Sequence, residues 1–175
     1  MTAKKTLPIN KLRVDGKTQP RVETDVTVVE EYAAAYTRGD TLPLPVVYFD
    51  GESYWLADGF HRRMGAIDAG LKKLRCEVYE GTVEDAQWYS YSANRTHGLR
   101  RSNADKSRAV KAALQHPHGA EKSDRQIAEH VGVDPMTVGK YRKQMAATVE
   151  NLQSTTRTGR DGRTINTAKI GKSAG

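Results

Sequence analysis

One stretch limits what this chain can be more than any other: SDRQIAEHVGVDPMTVGKYRKQM, from Ser123 to Met145. Ser123 and Gln126 make an S-x-x-Q capping box, so a helix starts there. Counting Asp124 as position one, the apolar positions four, eight, ten, fifteen and eighteen are Ile127, Val131, Val133, Val138 and Tyr141. Position five is Ala128, small enough for a second helix to cross, and position nine is Gly132, which supplies positive φ for a tight turn. Asp134 then serves as N-cap and Pro135 as the first helical residue of that second helix. Five apolar groups burying the angle between two capped helices is the spacing of a helix-turn-helix.

A helix-turn-helix of this kind places the start of its second helix in the DNA major groove. The outward residues there are Pro135, Met136, Thr137, Gly139, Lys140, Arg142 and Lys143. Met136 suits a thymine methyl and Thr137 a base edge or phosphate. Lys140, Arg142 and Lys143 suit phosphates, which fix position without reading sequence. Arg125, near the start of the first helix, is within the same reach. Helix-turn-helix proteins usually bind as dimers on half-sites one turn apart, so a homodimer on double-stranded DNA is expected.

The charge distribution points the same way. Residues 1–92 hold 12 Lys/Arg against 14 Asp/Glu, a net of −2, whereas residues 93–175 hold 16 against 7, a net of +9. A change of sign this sharp implies a polyanion partner for the second part only. The single cysteine, Cys76, excludes an internal disulfide and a CxxC zinc site, and no metal site is expected. No apolar run approaches the ~20 residues of a membrane span. The start, MTAKKTLPIN, lacks the apolar stretch of a secretory signal, so a cytoplasmic protein is expected.

Elsewhere the pattern is α+β: a small mixed sheet over residues 1–81, a helical region over 82–148, and a basic tail over 149–175 that is either loosely ordered or a small hairpin about Asp161-Gly162. Leu7–Leu12 reads as a strand, and Thr24 as the cap of a helix through Val29, Tyr32, Ala33 and Tyr36 that Gly39-Asp40 ends. Val46–Phe49 and Tyr54–Ala57 form a hairpin about Gly51-Glu52, and Leu74–Tyr79 alternates as a strand. Thr82 and Ser102 cap further helices, and HPHGAEK, residues 116–122, reads as a loop.

Between the hairpin and that last strand lies WLADGFHRRMGAIDAG. Phe60, Met64, Ile67 and Leu71 fall on one helical face, with Asp58 as the expected cap and Gly70 as the stop. The first turn carries His61, Arg62 and Arg63, although a helix start already presents positive charge. Placing cations there costs a few tenths of a kcal/mol each, and a bound phosphate would reverse the sign. The charges point either to solvent and to Glu30, Glu31 or Asp68, or to a phosphate.

The order Gln19-Pro20-Arg21, then the proline-flanked strand Leu44–Phe49, then Leu56-Ala57-Asp58-Gly59-Phe60-His61-Arg62 resembles the ParB/sulfiredoxin-like domain. The family's boxes are "QPR" followed by "G-E-R-R" or "D-G-x-H-R". The resemblance covers about residues 6–116, and with the helix-turn-helix it extends to about 147. It implies that the Gly-x-x-Arg box starts a helix and binds nucleotide phosphates. Asp58, Gly59, His61, Arg62 and Arg63 would then form the phosphate site, with Gln19 and Arg21 nearby. ParB's third box falls on Ala93-Asn94-Arg95, adding Asn94 and Arg95. The implied ligand is a nucleotide such as CTP, ATP or ADP, with Mg2+ as its companion.

The departures narrow the chemistry. Sulfiredoxins carry a nucleophilic cysteine where this chain has Phe60, which argues against sulfinic acid reduction. Ala93 stands where ParB has an acid that helps place metal and triphosphate, which weakens magnesium-dependent hydrolysis. The chain stops soon after the helix-turn-helix, without ParB's separate dimerisation domain, so long-range spreading on DNA is not expected. The expected function is a sequence-specific DNA-binding ParB-like protein, a transcription regulator or a phage or plasmid partition protein, with a nucleotide-binding first domain. The alternative is an enzyme of the same fold, a small-molecule kinase, NTPase or nuclease, with no catalytic residue assigned.

Overall fold

The computed structural model of the chain describes residues 2–19, 24–93, 101–148, 156–159 and 162–166. The chain divides into two compact units, residues 1–93 and 94–175. The class is α+β, as the sequence pattern implies.

The first unit is built on a five-stranded mixed sheet. Its strands are β1 (Thr2–Pro8), β2 (Leu12–Arg13), β3 (Val46–Phe49), β4 (Tyr54–Asp58) and β5 (Lys73–Glu80), in the order β1-β5-β3-β4-β2. β1 runs antiparallel to β5, and β3 is parallel to β5 but antiparallel to β4. The single strand expected over Leu7–Leu12 is instead two strands at opposite sheet edges. Pro8 ends β1, a 3-10 turn over Ile9–Lys11 carries the chain across, and β2 joins β4 in parallel. Burial explains the break: Leu7, Ile9 and Leu12 all reach the same core, which an uninterrupted strand could not do with both odd and even positions.

That core lies on one sheet face, formed by Val47, Leu56, Leu74, Cys76 and Val78 with Ala66 of the helix above them. In β5 the buried positions are Leu74, Cys76 and Val78, the alternation read from the sequence. Helix α1 (Val26–Arg38) starts one residue later than expected. Asp25, not Thr24, is the N-cap, its carboxylate accepting from the Val28 N–H at 3.4 Å, and Gly39 ends the helix. The opposite sheet face carries Val46 and Ala57, covered by Ala86 of α3 (Val83–Ser92) with Tyr48, Trp55, Tyr79 and Tyr89 around them. α3 is held at its start by a reciprocal Thr82–Asp85 capping box and belongs to the first unit.

Helix α2 (Phe60–Asp68) departs from the amphipathic reading. Met64, Ile67 and Leu71 of the expected apolar face are 37%, 45% and 38% exposed, and only Phe60 packs against the core. The buried positions are His61, Arg62, Gly65 and Ala66. The reason is the close approach of α1. A Cβ on Gly65 would lie 2.6 Å from Tyr32 Cβ and 2.9 Å from the Val29 carbonyl oxygen. Small residues, not the large apolar stripe, therefore set which side of α2 faces inward.

The second unit is helical. α4 (Asn103–Gln115) begins at a Ser102–Asp105 capping box. The stretch read as a loop contains one short helix, α5 (Pro117–Ala120), because the His116 ring caps it and Pro117 fits its first position. α6 (Asp124–Val131) and α7 (Pro135–Thr148) follow, and the buried residues Ala109, Val110, Ala113, Leu114, Ile127, Ala128, Val131 and Val138 lie on α4, α6 and α7, which pack on one another. The tail contributes a ribbon of two strands, β6 (Thr156–Thr158) and β7 (Thr164–Asn166).

Candidate functional site

The first candidate site is the corner where β4 turns into α2. Asp58 ends the strand, Gly59 sits at φ 95° and ψ 29°, and Phe60 begins the helix. The expected cap is not there: no side chain caps α2, and Gly59 is the N-cap residue. The Asp58 carboxylate instead accepts from Arg62 Nη2 at 2.8 Å, one turn along the helix. Glycine is required at the corner on two counts. Its φ is in the left-handed region, and a Cβ there would lie 2.9 Å from Pro45 Cβ and 3.0 Å from Pro45 Cα. A helix start without a side-chain cap keeps its first N–H groups and its positive dipole end directed outward.

The three basic residues separate into two kinds. His61 is buried, and its Nε2 accepts from the Asp25 backbone N–H at 3.1 Å, tying the start of α1 to the start of α2. Accepting at Nε2 places the ring proton of a neutral imidazole on Nδ1. Arg62 is also buried. Its Nη1 donates to the Pro43 and Leu44 carbonyls at 2.6 and 3.0 Å, while Nη2 holds Asp58. That guanidinium ties the 43–44 segment, the end of β4 and the first turn of α2 to one another. Arg63 differs: its Nε is buried and has no hydrogen-bond partner, and burial pushes the guanidinium pKa down. A buried donor left unsatisfied costs about 1–3 kcal/mol, which an incoming acceptor removes.

The other expected phosphate residues fall partly in view. Thr18 is fully buried and donates to the Leu56 carbonyl at 2.6 Å, so Gln19 follows directly from a point fixed on β4. On the far side, Asp25 is fixed to His61. Arg21, Asn94 and Arg95 lie outside the described residues. Tyr89 of α3 is near enough to the corner that the Asp58 charge adds to burial in raising its hydroxyl pKa.

Thiol chemistry has no place at this corner. Phe60 packs on the core, and Cys76 is buried in β5 with its Sγ donating to the Leu74 carbonyl at 3.5 Å. Burial pushes its pKa up to about 11. Among the described residues no group of three or more His, Cys, Asp or Glu side chains is placed to hold a metal ion.

The second candidate site is the exposed side of α6 and α7. Gly132, at φ 77°, ends α6, and the Arg101 guanidinium donates to the Val131 carbonyl at that terminus. Asp134 Oδ1 accepts from the Met136 N–H at 2.7 Å, capping α7 as expected. Val138 faces inward and is fully buried. Pro135, Lys140, Lys143 and Arg125 are exposed, Thr137 and Gly139 half-buried, and Met136 is 84% exposed. Arg142 is placed differently from the two lysines. Its Nε donates to Asp124 Oδ1 at 2.6 Å and its Nη2 to the Lys122 carbonyl at 3.0 Å, fastening α7 to the start of α6. The sequence-based reading had no signal for that bridge, nor for the Pro43 and Leu44 carbonyls under Arg62.

Comparison with known proteins gives structural likeness only. No protein-family model and no curated protein matches the sequence. The C-terminally truncated chromosome-partitioning protein ParB from Caulobacter crescentus, complexed to the centromeric parS site, is similar at 19% identity with a TM-score of 0.54, covering 81% of this chain and 72% of that one. The same protein complexed with CTP-gamma-S aligns at 19% identity and TM-score 0.46 over 82% and 79%. Sulfiredoxin from Arabidopsis thaliana aligns at 23% and 0.41 over 51% and 96%. Among the described residues no helix is long and apolar enough to cross a membrane. The mixed sheet and the helical unit after it give this chain a fold like that of the truncated ParB complexed to parS.

Proposed function

We propose that this chain is a sequence-specific DNA-binding protein, acting as a homodimer, whose first unit binds a nucleotide through its phosphates. The observation that carries the DNA reading is the start of α7. An 84% exposed methionine beside a cap, with Lys140 and Lys143 exposed and Val138 buried, is the arrangement of a helix that presents side chains to a groove. The excess of basic residues in the second unit supports it, as does the similarity to a ParB that is complexed to a parS site.

The nucleotide reading rests on the uncapped start of α2 and the unsatisfied Arg63 Nε in its first turn. In this reading the N–H groups of the first turn and Arg63 take phosphate oxygens, with Gln19 and Arg21 on the adjoining segment and Asn94 and Arg95 beyond α3. Asp58, His61 and Arg62 hold the corner in shape for them. CTP, ATP and ADP all carry the phosphates this corner would bind, with Mg2+ as the companion ion that would offset their charge.

The DNA reading is tested by measuring affinity for duplexes recovered from a random pool as a function of salt. Each phosphate neutralised contributes about 0.9 to the slope of log affinity against log salt. Lys140→Ala/Lys143→Ala is expected to lower that slope by about 1.8. An unchanged slope and affinity would remove α7 from the interface.

A further inference from the structure

A lysine outside the helix-turn-helix is held against α7 by a ring contact. Lys111 is an exposed residue of α4, and its Nζ lies 5.3 Å from the centroid of the Tyr141 ring of α7. An ammonium within about 6 Å of a tyrosine face is attracted to the ring. The ring carries no opposite charge, so the contact places the cation without neutralising it. Because α4 and α7 also pack on each other, the helical core sets where Lys111 sits.

The position of Tyr141 on α7 gives that charge a direction. An α-helix turns by about 100° per residue, so Met136, Lys140 and Lys143 lie within about 60° of one another. On the same helix Tyr141 falls about 140° from Met136 in one sense, and Arg142 about 120° in the other. Gly139 lies between Met136 and Arg142, and a Cβ on it would come 3.2 Å from Asp124 Oδ2. Arg142 also holds the Asp124 carboxylate. The start of α6, where exposed Arg125 follows Asp124, therefore borders one flank of the exposed stripe. Lys111 borders the other.

A helix about 10–12 Å across fills a DNA major groove about 12 Å wide. The two lips of that groove are the backbones of opposite strands, so cations on both flanks of an inserted helix meet phosphates of both. We propose that Lys111, positioned by Tyr141, is a phosphate contact from α4 on the strand opposite the one that Arg125 contacts, so that the second unit straddles the groove. The inference rests on the DNA-binding reading and extends its interface to a helix outside the helix-turn-helix.

The test uses the full chain and a duplex selected by the wild type. Lys111→Ala is expected to lower the salt slope by about 0.9 and the affinity about five-fold at about 0.15 M salt, with the melting temperature unchanged. Lys111→Arg keeps the slope. Methylphosphonate substitution removes one phosphate charge at a time and so locates each contact. The sensitive position lost in Lys111→Ala is expected on one strand and that lost in Arg125→Ala on the other. Tyr141→Phe, which keeps the ring face, retains the Lys111 phosphate, and Tyr141→Leu loses it. Retention in Tyr141→Leu would overturn the positioning role. If the wild type binds duplex and Lys111→Ala keeps its slope, the phosphate role fails whatever the affinity does. If Lys111→Ala and Arg125→Ala lose positions on the same strand, the straddling geometry fails. If the wild type binds no duplex at all, the DNA-binding reading itself falls, and the role of Lys111 with it.

Discussion

Arg62 Nη2 lies 2.8 Å from Asp58 Oδ2, with the two side chains only 9% and 18% exposed. The same guanidinium holds the Pro43 and Leu44 carbonyls, so one arginine closes the corner on three sides. Removing one partner of a buried ion pair leaves the other charge uncompensated, at a cost of about 3 kcal/mol or more. Arg62→Ala is therefore expected to lower unfolding stability by about 3 kcal/mol, read from urea denaturation midpoints at constant m. Arg63→Ala loses packing but also removes an unsatisfied buried donor, so the two effects offset and stability is expected to change by less than about 1 kcal/mol. Equal losses in the two variants would contradict this division of roles.

A second expectation concerns Cys76. With its pKa raised to about 11 by burial, roughly one molecule in a thousand carries a thiolate at pH 8. Native protein should react with a thiol reagent at the rate of unfolding, and urea should release one fast-reacting thiol. The sign for stability follows. A thiol kept neutral in the fold is ionised in the unfolded chain first, so stability falls as pH rises from about 9 toward 11. Rapid labelling of the folded protein at pH 8 would contradict the buried placement.

The Arg142–Asp124 bridge yields a third. Both groups are partly exposed, at 18% and 28% of their side chains, so its loss costs about 1 kcal/mol. Arg142→Ala should weaken DNA binding by loosening α7 while leaving the salt slope within error of wild type. Lys140→Ala/Lys143→Ala should do the opposite, changing the slope and not the melting temperature. A slope lowered by about 0.9 in Arg142→Ala would make it a direct phosphate contact instead.

Much of the architecture could be read from the chain because its signals are local. Capping boxes at Thr82, Ser102 and Ser123, the alternation in β5 and the glycine at 132 each act over a few residues. What could not be read depends on residues far apart. The inward side of α2 is decided by Gly65 against Val29 and Tyr32 of α1, more than thirty residues earlier in the chain. Asp58 has the composition of an N-cap, yet a buried arginine one turn on competes for the same carboxylate and wins, because a charged pair outweighs a cap bond. The basic triplet stands out in the sequence, but sequence alone does not show that His61 and Arg62 hold the corner while Arg63 Nε does not.

Binding of phosphate at the β4–α2 corner is the central expectation. Isothermal titration of the full chain with ATP, ADP, CTP and GTP, each with and without Mg2+, measures this directly. The prediction is saturable one-to-one binding of at least one of these nucleotides, lost in Arg63→Ala while the stability of that variant stays within about 1 kcal/mol of wild type. Heats no larger than dilution for all four nucleotides, with and without magnesium, would contradict it.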